Sequence, residues 1–252
     1  MGILRALAFE LRGRTAFFKK PDVNANIYFT YSHIHKIALL GMLGAILGLK
    51  GYEAQSRDIK ANGDNETNRY PEFYEKLKDL KVSIVPHGDR GYFSKKIQVF
   101  NNSVGYASFE QGQNLIIKEQ WLENPHWTVY LLDDGTEICM ELFNRLKSHQ
   151  SVYLPYLGKN DHPASITKVR EVELENAWAP GSCIDSLFCS KGVDLGRSRT
   201  GPYLYQEFLP IKMDDILNSY VFEQMFFTNQ VVNKIQNSNV IYCAEEKNLF
   251  FF

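Results

Sequence analysis

A buried-looking strand, an apolar helix, a strand hairpin, a further strand and an amphipathic helix succeed one another through the first 150 residues. That order predicts an α+β fold with a ferredoxin-like sheet layered with helices. Short β-like runs dominate after Tyr203, so residues 151–252 read as a smaller β-rich region. The composition, 44% hydrophobic and 23% charged in 252 residues, excludes collagen-like, disordered and multi-pass membrane classes. A chain of this length buries a large core without staples. The expected organisation is therefore 1–150 and 151–252.

The elements follow from local pattern. Ile3, Leu7, Phe9 and Leu11 share one parity, and Ala6 and Ala8 the other, as in a strand packed on both faces. Pro21, Asn24 and Asn26 break the next stretch into a loop. Ser32 is the expected N-cap of a helix whose run Ile37 to Leu49 is apolar almost all round and therefore buried. Gly41, Gly44 and Gly48 lie on one face of it, each costing about 1 kcal/mol against Ala. Close approach of this helix to a sheet is the expected compensation. Residues 53–70 read as a surface loop or short helix, and Pro71 to Leu80 as a short amphipathic helix. Val82 to Val85, Ile97 to Phe100, Leu115 to Leu122 and Trp127 to Leu132 read as strands. The Asn-, Gly- and Ser-rich segment between the second and third is a long hairpin excursion. Thr136 opens a helix through His149, with Asp134 and Glu137 spaced as a capping pair. Ile166 to Leu174 is a strand, and residues 214–220 form one turn capped by Asp214.

Net charge is -1, which argues against a broad basic face for double-stranded DNA. The charge is unevenly spread. Residues 1–60 carry a net of +5, and Lys81, Arg90, Lys95 and Lys96 form a second basic stretch. One anion-binding region on a neutral body would give this pattern, as would solvated charges distributed by chance. Arg5, Glu10 and Arg12 interrupt the start where a signal peptide needs an apolar run. The longest apolar run is 13 residues, below the ~18–20 that span a bilayer. Cys139, Cys183, Cys189 and Cys243 form no CxxC pair, so neither a zinc site nor a disulfide scaffold is expected, and a reducing cytoplasm fits.

The segment Arg12 to Lys20 interleaves Arg12, Arg14, Lys19 and Lys20 with Phe17 and Phe18 and carries no acid. Cations suit phosphates and aromatic faces suit splayed bases, although the phenylalanines could equally fill the core. Arg90 to Lys96 and Lys191 to Arg199 repeat the pattern. His33 and His35 could touch RNA, form an acid/base pair or pack the helix entrance. No third ligand accompanies them, so no metal is expected. No Rossmann, Walker, GxSxG or HExxH signature is present, and no cofactor is implied.

Thr30-Tyr31 precedes the run Gly41-Met-Leu43-Gly44-Ala45-Ile-Leu-Gly48. Gln120-Trp-Leu-Glu-Asn124-Pro125, Val152-Tyr-Leu-Pro155-Tyr-Leu-Gly158-Lys159-Asn160 and Tyr205-Gln-Glu-Phe-Leu-Pro210 follow in order. In this succession the chain resembles the Cas-five subunit of type I CRISPR surveillance complexes (Cascade), a RAMP-superfamily protein, in its type I-B form. The resemblance implies a ferredoxin-like N-terminal domain with a β-hairpin thumb near 97–114. It also implies a subunit that holds the 5′ handle of crRNA, caps the backbone filament and contacts the backbone and large subunits. Target DNA would be met only through the complex. The RNA contacts expected are Arg12, Arg14, Lys19, Lys20, Tyr31, His33, His35, Lys36, Lys95, Lys96 and Lys159, with no catalytic residue. The alternative is a metal-independent endoribonuclease processing precursor crRNA, with Tyr31, His33 and His35 as its acid, base and orienting groups.

Overall fold

A computed structural model describes residues 4–22, 26–63, 69–102, 115–198, 201–236 and 238–252. From the start come β1 (Leu4–Arg12), β2 (Thr15–Ala16), α1 (Lys36–Leu47), α2 (Tyr52–Asn62), α3 (Glu72–Leu77), β3 (Val82–Pro86) and β4 (Lys95–Asn102). Next are β5 (Leu115–Glu123), β6 (His126–Leu132), α4 (Glu137–Lys147) and β7 (Ser165–Leu174). The remainder holds β8 (Phe188–Cys189), β9 (Asp194–Leu195), β10 (Leu204–Met213), β11 (Tyr220–Thr228), β12 (Val232–Lys234), β13 (Ile241–Ala244) and β14 (Lys247–Phe250).

The main sheet has the order β3-β6-β1-β7, and every pairing in it is antiparallel. With α1 and α4 this is the β-α-β-β-α-β order of a ferredoxin-like fold. β1 is buried on both faces, as its alternation predicts. Leu7, Phe9 and Leu11 pack with α1 and α4 through Leu39, Leu43, Leu142 and Leu146. Ala6 and Ala8 lie beneath Leu249 and Phe251 on the opposite face. β7 lies beyond residue 150 yet pairs with β1 along its length. The sheet thus takes strands from both sides of the boundary expected from the sequence. At the sheet edge, β7 breaks register near Lys168, whose φ is +53°. Such a bulge, with charged neighbours, protects an open edge from pairing with another chain.

α1 starts at Lys36, and His35 rather than Ser32 is its N-cap, accepting the Ala38 amide through Nδ1 at 3.2 Å. Ser32 instead accepts from Lys95. The close approach of the α1 glycines is to α3, not to a sheet. A Cβ on Gly44 would lie 2.5 Å from Cβ of Phe73. α4 is capped by Thr136, which accepts the Cys139 amide, while Asp134 braces Thr136. Asp214 accepts three amides, from Ile216, Leu217 and Ser219, in a tight turn. β4 and β5 form an antiparallel ribbon with β2 on its other side. The expected thumb spans this ribbon, but its residues 103–114 lie outside those described.

Candidate nucleic-acid interface

A broad groove runs along α1, between the start of α2 on one side and residues 153–159 with Phe17–Lys19 on the other. Glu119 of β5 lies at its floor. The 153–159 wall is held by backbone. Val152 and Tyr153 donate their amides to the carbonyls of Ile46 and Ala45, both at 3.1 Å. Both carbonyls belong to the last turn of α1, where the helix runs out of amide donors, and that of Ala45 also accepts the Gly48 amide at 3.2 Å. The Phe17 amide donates to Leu157 at 3.1 Å, and the Leu157 amide to His162 at 2.8 Å. The His162 ring then meets Thr15 Oγ1 at 2.6 Å and stands edge-on to Trp121. Tyr153 and Tyr156 are left 59% and 45% exposed on the rim. Aromatic rings held open in this way suit base stacking.

Two of the expected RNA contacts bring ammonium groups to this groove, one unpaired among the described residues and one in an ion pair. Lys19 is exposed, its Nζ 3.9 Å above the ring of Tyr28. Lys159 contacts both carboxylate oxygens of Glu119, at 3.1 and 3.2 Å, and lies 3.6 Å from Asp161. Its Nζ is 5.7 Å from the ring of Phe17 and 5.4 Å from that of Phe100. Lys50 adds a third, exposed cation. On the opposite wall Arg57 pairs with Glu53 and Lys76 with Glu72, and Asp58 and Glu75 add further carboxylates.

Other expected contacts lie elsewhere. Lys96 is 3.6 Å from Glu123 and 6.0 Å from the ring of Trp121 at the ribbon's base. Arg12 pairs with Glu10, which also takes Lys168 at 2.6 Å and His126 at 3.3 Å. Lys168 and Arg12 outweigh the partial burial of Glu10 and lower its carboxyl to about 2. Arg14 is exposed, and among the described residues no ion pair holds its side chain.

Four expected contacts are corrected by burial. Tyr31, His33, His35 and Lys36 are 6% exposed or less, so none can meet a strand from solvent. His33 accepts from Trp127 Nε1 at 3.1 Å and stands edge-on to Tyr205. Burial lowers its imidazole to about 4 against the pull of Glu207, and lowers His35 to about 3. Tyr31 packs edge-on against His35, and burial raises its phenol. Lys36 donates to the Phe252 carbonyl at 3.0 Å, and burial lowers its ammonium to about 8.

Lys20 and Lys95 serve one internal network. Glu207 of β10 accepts from Lys20 at 2.7 Å, the Tyr205 hydroxyl at 2.6 Å and the Ser32 amide at 2.9 Å. Lys95 closes it on the Ser32 hydroxyl at 2.8 Å. Burial pushes the Glu207 carboxyl up, but Lys20, Tyr205 and Ser32 together hold it below the usual range.

Sequence reasoning missed Tyr153, Tyr156, Lys50 and Glu119. The available signal was a pair of tyrosines flanking Pro155 in a stretch with no apolar period to bury them.

No family model and no curated protein matches the chain. Among solved structures, a chain of a "CRISPR RNA-guided surveillance complex" superposes with a TM-score of 0.51 at 16% identity. It covers 89% of this chain and 91% of that one. This chain shares the fold of that surveillance-complex protein. A CRISPR protein from Archaeoglobus fulgidus gives a TM-score of 0.42 at 11% identity, covering 97% of each chain. A further Cas protein gives 0.40 at 14% identity, covering 90% and 94%. The fold likeness rests on the first alone. Among the described residues, no single helix is long and apolar enough to cross a membrane.

Proposed function

We propose that this chain is a non-catalytic RNA-binding subunit of a CRISPR effector, of type I-B by its sequence motifs. It holds the 5′ handle of crRNA and caps the backbone filament in antiviral defence. It works in the cytoplasm against the backbone and large subunits and reaches target DNA only through the complex. One observation carries the reading. The groove along α1 gathers Lys19 and Lys50 with two exposed tyrosines on a wall fixed by backbone hydrogen bonds. Cations for the backbone and open rings for the bases are what an unpaired strand needs. The shared fold and the succession of sequence motifs support the same assignment.

The endoribonuclease alternative rested on Tyr31, His33 and His35. These side chains are buried and each histidine Nδ1 accepts a hydrogen bond, which favours the binding reading.

The test is incubation of purified protein with labelled repeat RNA in EDTA, run on native and denaturing gels. A shifted, intact RNA is expected. Charge reversal at Lys19 and Lys50 together weakens the shift by about tenfold or more at low salt. A discrete cleaved product, or an affinity unchanged by the double reversal, overturns the reading.

A further inference from the structure

Glu119 places a carboxylate where a polyanion is proposed to lie. It is 7% exposed at the floor of the groove and is held firmly. Trp121 Nε1 donates to Oε2 at 2.8 Å, and Lys159 touches both oxygens. A phosphate brought to this point would meet a fixed negative charge. It would also find Lys159 already neutralised. Lys159 therefore makes a poor phosphate contact, in contrast to the exposed Lys19.

What the pair does offer is hydrogen bonding. A carboxylate has about four lone-pair sites. Trp121 and Lys159 occupy three of these, which leaves an acceptor on Oε1. The ammonium beside it keeps a third N–H, with Asp161 at 3.6 Å, beyond hydrogen-bond reach. Acceptor and donor lie 3.1 Å apart. The Watson–Crick edge of a nucleobase presents an adjacent donor and acceptor of this kind, free only when the base is unpaired.

Resting on the RNA reading of the groove, we propose that Glu119 and Lys159 form an edge-reading pair. An unpaired base enters the groove edge-first onto them while its phosphates stay at the rim near Lys19 and Lys50. Glu119 is then a specificity-determining residue, and duplex RNA is excluded because its edges are occupied.

The experiment uses the full chain and single-stranded RNA probes of about ten nucleotides, as homopolymers of A, C and U and as an abasic strand of equal charge. Salt titrations accompany each. Wild type is expected to bind at least one base-bearing probe on the order of tenfold more tightly than the abasic strand. Glu119→Gln keeps an acceptor for Trp121 and adds a donor. It is expected to change the relative order of A, C and U by about fivefold or more while leaving the salt dependence alone. Matching circular dichroism melts show that the variant folds. The proposal is overturned if the abasic strand binds as well as the others. It is also overturned if Glu119→Gln tightens all probes equally and steepens the salt dependence, since Lys159 would then simply have been released to phosphate. Failure of wild type to bind any probe overturns the RNA reading itself and this proposal with it.

Discussion

A Cβ on Gly158 would lie 1.9 Å from the carbonyl oxygen of Phe17, and Gly158 itself has a φ of +92°. The loop bearing Tyr153, Tyr156 and Lys159 is thus laid against the segment bearing Lys19 with no room for a side chain. Gly158→Ala is expected to strain the backbone and separate the two walls, lowering stability by about 2–3 kcal/mol. Urea unfolding measures the loss. RNA affinity is expected to fall with it, and an unchanged midpoint would mean that the wall is not held as described.

The cations of the groove differ in what they can release. Lys19 and Lys50 make no ion pair among the described residues, whereas Lys159 is matched by Glu119. Lys19→Ala is expected to reduce the slope of log affinity against log salt by roughly 0.7, the single-strand value per phosphate contact. Lys159→Ala is expected to leave that slope alone. Fluorescence anisotropy across a salt series separates the two.

Glu207 joins the C-terminal hairpin to the N-terminal loop. Glu207→Ala removes the acceptor of Lys20, Tyr205 and the Ser32 amide together, at a site only 11% exposed. A loss of about 2–3 kcal/mol is expected, because partly buried donors are left without partners. Glu207→Gln should recover part of it. A thermal melt reads both variants.

Acid should destabilise this protein before its carboxylates titrate. His33 and His35 are held near 4 and 3 in the fold, against 6.5 when unfolded. The unfolded chain therefore binds more protons, and stability falls as pH drops from about 6.5 toward 4. For His33 alone the shift corresponds to about 3 kcal/mol. His33→Asn should flatten this acid limb of the melting-temperature profile. A limb of unchanged steepness would show that His33 is not buried neutral.

Lys36 carries the opposite lesson. The residue is 6% exposed, and its acceptor, the Phe252 carbonyl, also accepts the Val82 amide at 3.1 Å. Removing the amine leaves that carbonyl paired. Lys36→Met is expected to raise stability by about 1 kcal/mol near neutral pH. The gain should shrink as pH rises through about 8, where the native amine already loses its proton. Melts at two pH values check both parts.

Much of the fold was legible because it is written locally. The two parities of residues 3–11 announced a strand buried on both sides, and the all-round apolar run after Ile37 announced a buried helix. The compensation for Gly44 was not legible, because Phe73 reaches it only after the chain has turned through α2 into the start of α3. Nor was the site of Ser32, which reads as a cap in sequence and is taken by Lys95 and Glu207 in space.

Lys19 and Lys20 show where the division falls. The sequence by itself determined the identity and order of the main elements that build the ferredoxin-like sheet and its two helices, and that a basic, aromatic stretch follows β1. Periodicity and turn chemistry act over a few residues, and one chain carries them in full. Only the tertiary structure decided that Lys19 stands in the groove over Tyr28 while its neighbour Lys20 is spent on Glu207. A charge becomes available to a ligand, or is consumed, according to which distant side chain packing brings beside it.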